Sequence, residues 1–247
     1  MDNTRTIAVI PARSGSKGLP NKNTLKIAGK TLIEIAISQA LKIKGIEKVV
    51  FSSDSLEYCN LAEKAGAHSF DQRPKELSRD NTKTVEGLLD LTKHFQNLNT
   101  ILLLQPTSPI RSIQDIQDGF NLSITKQTTV ISVAKVEEPH PIKMFNMEDH
   151  KELKPYDQNS KFNCETPRQL LPKVFRLTGA FYSVNVKQML TQHSVVPVGS
   201  FGHVTSMYPN IDSQEDFDYI EWMINSNKSL PKDFMEIIKS SNFSNKY

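Results

Sequence analysis

Two rhythms of apolar and polar residues run through this chain. Short apolar runs with no polar alternation recur as "TIAVIP" (6–11), "KVVFSSD" (48–54), "TILLLQPTSP" (100–109) and "TVISVAKV" (129–136). Strands of that kind are covered on both faces. Between them, "TLIEIAISQALKIKG", "LEYCNLAEKAG", "VEGLLDLTKHF" and "SIQDIQDGFNLSI" space their apolar residues three and four apart, which predicts amphipathic helices. Strands alternating with such helices predict βαβ units around a parallel sheet. Right-handed crossovers then put the loops after the strands along one edge, where open α/β sheets bind ligands. The polar tails "PARSGS", "SSD" and "QPTSP" all fall on that edge.

The rhythm breaks over 136–176, where five prolines and no sustained periodicity predict an excursion that packs on something else. "RLTGAFYSV" returns to the main sheet. "DSQEDFDYIEWMI" predicts a late helix with an acidic first turn and Asp212 as its N-cap. "NSNKSLPKDFMEIIKSSNFSNKY" reads as a polar tail, and no internal repeat is visible.

Composition narrows the classes. A chain of 247 residues with 38% hydrophobic and 23% charged residues matches an ordinary globular protein with one large domain. Its net charge of +3 gives no case for nucleic-acid binding, so any anionic partner must be met by local clusters of cations. Cys59 and Cys164 stand far apart, which argues against a disulfide framework or thiolate metal site. The run Ile7–Ile10 is too short for a signal peptide, and no stretch reaches the ~20 apolar residues of a membrane span. The expected location is the cytoplasm, away from membranes.

The chemistry concentrates in "IPARSGSKGLPNKN", residues 10–23. Gly15 and Gly18 allow backbone approaches that a β-carbon would block. Ser14 and Ser16 offer hydroxyl donors, and Arg13, Lys17 and Lys22 cluster positive charge directly after the first strand. Backbone N–H groups with cations at a strand end form a cradle for phosphates. The loop is neither a Walker A sequence, which would need glycine where Thr24 stands, nor a G-x-G-x-x-G fingerprint. Without HExxH or G-x-S-x-G, a zinc or serine hydrolase is disfavoured.

Together with "RPKEL", "LLLQPTSPIR", "RQLLPKVFRLTGAFY" and "IDSQEDF", this loop resembles the cytidylyltransferases that activate sialic acids, the CMP-N-acylneuraminate synthetases and their CMP-legionaminate relatives. The resemblance implies a nucleotidyltransferase-like α/β fold of Rossmann type, with a mostly parallel sheet. It implies a homodimer, Mg²⁺, and the reaction of CTP with a nonulosonic acid to give a CMP-sugar and pyrophosphate. By position, Arg13, Ser16, Lys22 and Asn23 match residues that hold the phosphates, with Lys17 facing solvent. Arg73 and Asn81–Thr84, including Thr82 and Thr84, match the stretch that reads cytosine. Gln105 ends the most buried strand and would present its amide to a sugar. Lys143, Arg168 and Arg176 would serve the acid substrate from the excursion, which the resemblance makes a dimerisation segment reaching the neighbouring site. Arginine suits a carboxylate because its guanidinium bonds two oxygens at once. Tyr182 matches a substrate-lining aromatic, although an aromatic in a strand is more often core.

Two departures stand out. Where the family offers D-x-D before the late helix, this chain has Asn210 and Asp212, so Mg²⁺ would be held by the Asp212 carboxylate and by Asn210 through its uncharged carbonyl oxygen. Thr178, Val195 and Val196 replace residues expected near the sugar, which points towards legionaminate or another variant. Arg111 reads as structural, pairing with Asp115 one helical turn on. His140, between two prolines, reads as structural too. No side chain declares itself as the base for the sugar hydroxyl. The rival readings are a binding module that has lost catalysis, a CMP-transferase for another 3-deoxy-2-keto acid, and a glycosyltransferase, which would need a D-x-D that "SSD" does not supply.

Overall fold

The computed structural model describes residues 5–15, 18–69, 72–147, 151–226 and 228–240. β1 (Thr6–Pro11) leads into the glycine loop, and a short hairpin of β2 (Lys26–Ile27) and β3 (Lys30–Thr31) hands over to α1 (Leu32–Ala40). β4 (Lys48–Ser52), α2 (Leu56–Lys64), β5 (His68–Ser69), α3 (Thr84–Thr92), β6 (Thr100–Leu103), α4 (Ile113–Lys126) and β7 (Val130–Lys135) follow. The excursion carries β8 (Phe145–Met147) and β9 (Leu153–Pro155). β10 (Phe175–Asn185), α5 (Val186–Gln192), β11 (Phe201–Val204), α6 (Gln214–Asn225) and α7 (Lys232–Lys239) complete the described elements.

Seven strands form one sheet in the order β11-β7-β10-β6-β1-β4-β5. The pairs of β1 with β4 and β6, of β4 with β5, and of β7 with β11 are parallel. Within this sheet, among the described residues, only β10 runs against its neighbours, β6 and β7. The resulting mostly parallel α/β sheet is the predicted architecture, and β10 is the departure from pure βαβ winding.

Strand periodicity explains why both faces are covered. Along β1, Ala8 and Ile10 enter one apolar cluster with α1, α2 and α4, whereas Ile7 and Val9 enter another with α3 and α5. β6 divides in the same way, Leu102 to the first face and Ile101 and Leu103 to the second. Each of the valine, leucine and isoleucine side chains contributes roughly 2 kcal/mol on burial, so a polar residue at any of them would be costly. α1 opens on a capping box in which Thr31 and Glu34 bond each other's backbone N–H groups, and it is buried on two sides.

The chain's last stretch corrects the expectation of a polar tail. Phe234, Ile237 and Ile238 recur at helical spacing, and α7 buries all three in a third cluster with Leu32, Ile35, Phe217 and Ile220. Lys30 Nζ donates to Ile237 O at 2.7 Å, and Asp233 accepts the N–H of Ile113 at the start of α4. Three apolar residues among many polar ones weakened the signal in the sequence.

The excursion leaves and rejoins the sheet at one neck, where Val136 N–H donates to Val174 O at 2.9 Å. Because β7 runs alongside β6 and β10 against both, this neck lies on the edge where β1, β4 and β6 end. His140 braces it structurally, its Nε2 3.1 Å from Pro172 O and its Nδ1 accepting the Ile142 N–H.

Gly119 on α4 lies so close to β10 that a β-carbon there would overlap the Phe181 ring. Alanine would gain ~1 kcal/mol of helix propensity, but overpacking a filled core costs ~1–3 kcal/mol. Because that β-carbon would run into a Phe181 ring carbon, the cost falls at the upper end of this range. Gly119→Ala is therefore expected to lose a net ~1–2 kcal/mol and to lower Tm by roughly 2–8 °C in a calorimetric scan, and an unchanged or raised Tm would contradict this packing.

Candidate active site

A cleft of about 560 Å³ opens on the strands' carboxyl edge. Four segments line it: the end of β1 with the glycine loop, the stretch from Arg73 to Gly87, the turn after β6, and Asp212 before α6. The structure thus brings Arg13, Lys22, Asn23, Arg73, Thr82, Thr84, Gln105 and Asp212 to one cavity. Arg79, Asp80 and Thr107 also line it, and the sequence reading did not single them out, whereas Lys83 belongs to the Asn81–Thr84 stretch that it named. Their adjacency to Arg73 and Gln105 was the available signal. The described lining residues include five cations and two carboxylates, a surplus that favours a polyanion.

The glycine loop is held by specific bonds. Ala12 N–H donates to Ser52 O at 3.0 Å, and Asn23 Nδ2 donates to Arg13 O at 3.1 Å. Asn23 is buried, so its amide shapes the loop. Ser14 gives both its N–H and its hydroxyl to Asp54, each at 2.9 Å. That corrects the expectation of a free Ser14 donor for phosphate. The glycines also differ. A β-carbon on Gly15 would meet nothing within 4 Å, whereas one on Gly18 would stand 2.9 Å from Asp212 O. Only Gly18 is sterically required, because the loop passes directly against the backbone before α6. Ser16 and Lys17 lie outside the described residues.

Two ion pairs span the cleft. Arg13 Nη1 meets Asp80 Oδ1 at 2.6 Å, and Lys22 Nζ meets Asp212 Oδ1 at 2.9 Å. Lys22 is largely buried at 14% side-chain exposure, whereas Asp212 is 78% exposed. Exposed pairs contribute ~0–1 kcal/mol, so a polyanion can displace either carboxylate at little cost. Arg73 is more enclosed: its Nε donates to Ser78 Oγ at 3.0 Å. Burial pulls its pKa down, and the charge of Asp54 opposes that shift.

The late helix is capped by a residue other than the one expected. Ser213 is the N-cap, and its hydroxyl accepts the Asp216 N–H in a capping box. Asp216 Oδ2 in return takes the N–H groups of Ser213 at 2.9 Å and Asp212 at 3.0 Å. These bonds hold the Asp216 carboxyl below its ordinary pKa, the Asp212 N–H being the largest cause. Asp212 is relieved of capping, and its carboxylate remains in the cleft. Asn210 turns elsewhere: its Oδ1 accepts the Ser108 hydroxyl at 2.7 Å, its side chain abuts Gly179, and it is not among the lining residues.

Other expected residues fall outside this cavity. Asn81 is exposed beside it. Lys143 is exposed at the end of a 3-10 turn, Arg168 lies 3.7 Å from Glu138, and Arg176 is exposed on β10 opposite Ala134. Tyr182 packs against the second apolar cluster, where burial pushes its pKa up. Val195 packs there too, and Val196 is exposed. Thr178 is buried, its hydroxyl donating to Ser132 Oγ at 2.8 Å. Arg111 does not pair with Asp115. It is fully buried, and its guanidinium donates to Ala180 O, Gln39 Oε1 and Gln105 O. Burial lowers its pKa to about 9, still above neutral pH, so it remains charged.

The Cytidylyltransferase family model matches residues 7–207. The N-acylneuraminate cytidylyltransferase of Escherichia coli O18:K1:H7 (strain RS218 / NMEC) is 32% identical over 219 residues, 87% of this chain. This chain spans 51% of that protein, about half its length. The CMP-N,N'-diacetyllegionaminic acid synthase of Legionella pneumophila subsp. pneumophila (strain Philadelphia 1) is 32% identical over 196 residues, covering 77% of this chain and 82% of that one. Among solved structures, CMP:2-keto-3-deoxy-manno-octonic acid synthetase complexed with CTP superposes with a TM-score of 0.66 at 16% identity, covering 90% of this chain and 99% of that one. At that identity the likeness speaks for the fold.

Gly18→Ala should push the loop away from Asp212 and lower nucleotide affinity ~10-fold or more, as misplaced binding groups commonly do. Gly15→Ala, with open space around it, should bind the nucleotide within ~2-fold of the parent. Isothermal titration with CTP and magnesium checks both, and equal affinities for the two variants would refute the Gly18 contact.

Proposed function

Because this chain belongs to the cytidylyltransferase family, we propose that its cleft moves the cytidylyl group of CTP onto a nonulosonic, sialic-type acid. The observation that carries this reading is the cation-rich cleft built by the glycine loop and the Arg73–Thr84 stretch at the sheet's carboxyl edge. The names of the relatives support the class of acid. Thr178 is buried and bonded to Ser132, and Val196 lies outside the cleft. Neither discriminates between N-acetylneuraminate and legionaminate within this cavity.

In the proposed reaction the anomeric hydroxyl oxygen attacks the α-phosphorus in line. The bond to the β-phosphate oxygen breaks, and pyrophosphate leaves. The hydroxyl proton passes to water or to Asp212, whose carboxylate is paired with Lys22 before the nucleotide arrives. Arg13 and Lys22 exchange those carboxylates for phosphate oxygens, and positioning with charge neutralisation supplies the rate. Arg73, Thr82 and Thr84 face the base, and Gln105 faces the ribose or sugar.

Asp212 fits a role in holding Mg²⁺, since its carboxylate is exposed to the cleft, whereas Asn210 has its carbonyl oxygen engaged by Ser108. One carboxylate with phosphate oxygens and waters suffices for this cation. Magnesium so bound would neutralise phosphate charge and favour departure of pyrophosphate.

A second copy of the chain belongs to the proposal. Phe145, Met147, Leu153, Tyr156 and Leu170 of the excursion are all exposed, an apolar concentration expected of an interface. Pairing there would bring Lys143, Arg168 and Arg176 towards a neighbouring cleft, where they would meet the acid's carboxylate. Met147→Glu is expected to turn a dimer into a monomer by light scattering and to lower turnover at least ~10-fold. A monomeric parent protein would end this part of the reading.

Pyrophosphate release is the direct assay, run with CTP, magnesium and N-acetylneuraminate, diacetyllegionaminate or 2-keto-3-deoxy-octonate in turn. Release is expected with at least one sialic-type acid. Lys22→Ala and Asp212→Ala should each lower kcat/KM for CTP ~10²–10³-fold. Release with none of the acids, or near-parental turnover in Lys22→Ala, would overturn the assignment.

A further inference from the structure

We propose that Asp54 is a positioning residue for the nucleotide site, bracing the glycine loop through Ser14 and the Arg73 segment through its own backbone. This rests on the cytidylyltransferase reading and adds to it a residue that lies outside the cleft lining. β4 ends at Ser52, and three consecutive residues then hold both loops. Ser52 O accepts Ala12 N–H at 3.0 Å, and Ser53 O accepts Arg73 N–H at 2.8 Å. Asp54 O accepts Gln72 Nε2 at 3.0 Å. The Asp54 carboxylate takes the Ser14 N–H on Oδ1 and the Ser14 hydroxyl on Oδ2, both at 2.9 Å.

Electrostatics makes the arrangement informative. A carboxylate beside a polyanion site opposes binding, so its presence there has to be offset by something it orders. Ser14 begins the stretch in which the loop leaves β1 and before which Arg13 turns towards the cleft. Charge-assisted bonds to both donors of one residue fix its peptide plane, which a single neutral acceptor would leave free to rotate. Arg13 precedes Ser14 and Gly18 follows it, so rotation at Ser14 would misdirect the cation and the close approach to Asp212 together. Gln72 and Ser53 transmit the same reference point to Arg73. The phosphate-facing and base-facing loops are therefore set against one another by a single short segment.

The test compares Asp54→Ala, Asp54→Asn, Ser14→Ala and the Ser14→Ala/Asp54→Ala double variant in the full chain. Asp54→Ala is expected to raise Kd and KM for CTP ~10-fold while leaving KM for the acid within ~2-fold, because orientation of the phosphate loop is what is lost. Asp54→Asn should recover to within ~3-fold of the parent, since the amide oxygen still accepts the Ser14 N–H and the hydroxyl can turn to accept from Nδ2. The double variant should be no worse than Asp54→Ala, the non-additivity of residues acting through one contact. Hydrogen exchange of the peptide covering residues 12–15 should quicken in Asp54→Ala. Unchanged exchange and unchanged Kd in that variant would overturn the proposal, as would strictly additive effects or equal losses for both substrates. If the parent protein binds no CTP, the cytidylyltransferase reading fails, and the exchange measurement alone then decides whether Asp54 braces the loop.

Discussion

The Arg111 guanidinium spends its donors on Ala180 O, Gln39 Oε1 and Gln105 O, acceptors drawn from β10, α1 and the turn after β6. All three acceptors are neutral, and the arginine is fully buried. Removing a cation of this size from water is expensive, and a hydrogen bond from each of its three nitrogens offsets part of that cost. A lysine also has three N–H donors, but all on one nitrogen, so it could not reach acceptors spread around the plane of Nε, Nη1 and Nη2. The position of Gln105 in the cleft follows from this contact, since its carbonyl is held from behind while its side chain faces the cavity. The antiparallel strand β10 is tied to the same centre through Ala180.

The site in front of that anchor is assembled from loops that the sheet edge brings together and a few bonds fix. Gly18 passes Asp212 with no room for a β-carbon, Asn23 holds Arg13 O, and Asp54 holds Ser14. Gly18 and Asn23 themselves line the cleft, whereas Asp54 and Ser14 lie outside its lining. Two of the facing cations, Arg13 and Lys22, are held in ion pairs whose carboxylates are open to solvent. Rigid support with exchangeable contacts in front is a sound arrangement for binding a polyanion and releasing a product.

Capping illustrates how closely neighbouring carboxylates can differ in task. Asp212 and Asp216 are four residues apart. Asp216 is absorbed by three donors at the start of α6, and this leaves Asp212 in the cleft with Lys22. One residue of offset between the expected and observed caps thus decides whether the site keeps a carboxylate. The same offset leaves Asn210 behind the cleft with Ser108 and Gly179, where its side chain fills space against a glycine of positive φ.

By itself the sequence determined the alternation of strands and helices, the coverage of both sheet faces and the placing of a cationic glycine loop at a strand end. These depend on local periodicity and on residue type, and "TIAVIP" or "TILLLQPTSP" announces them without help from the rest of the chain. The direction of β10, the docking of α7 and the partners of Arg111 and Ser14 were decided only by the tertiary structure. Each depends on a group more than thirty residues away, such as Asp54 for Ser14 or Gln39 for Arg111. Spacing along a chain carries no record of which distant acceptor a buried donor will meet, because that choice belongs to packing.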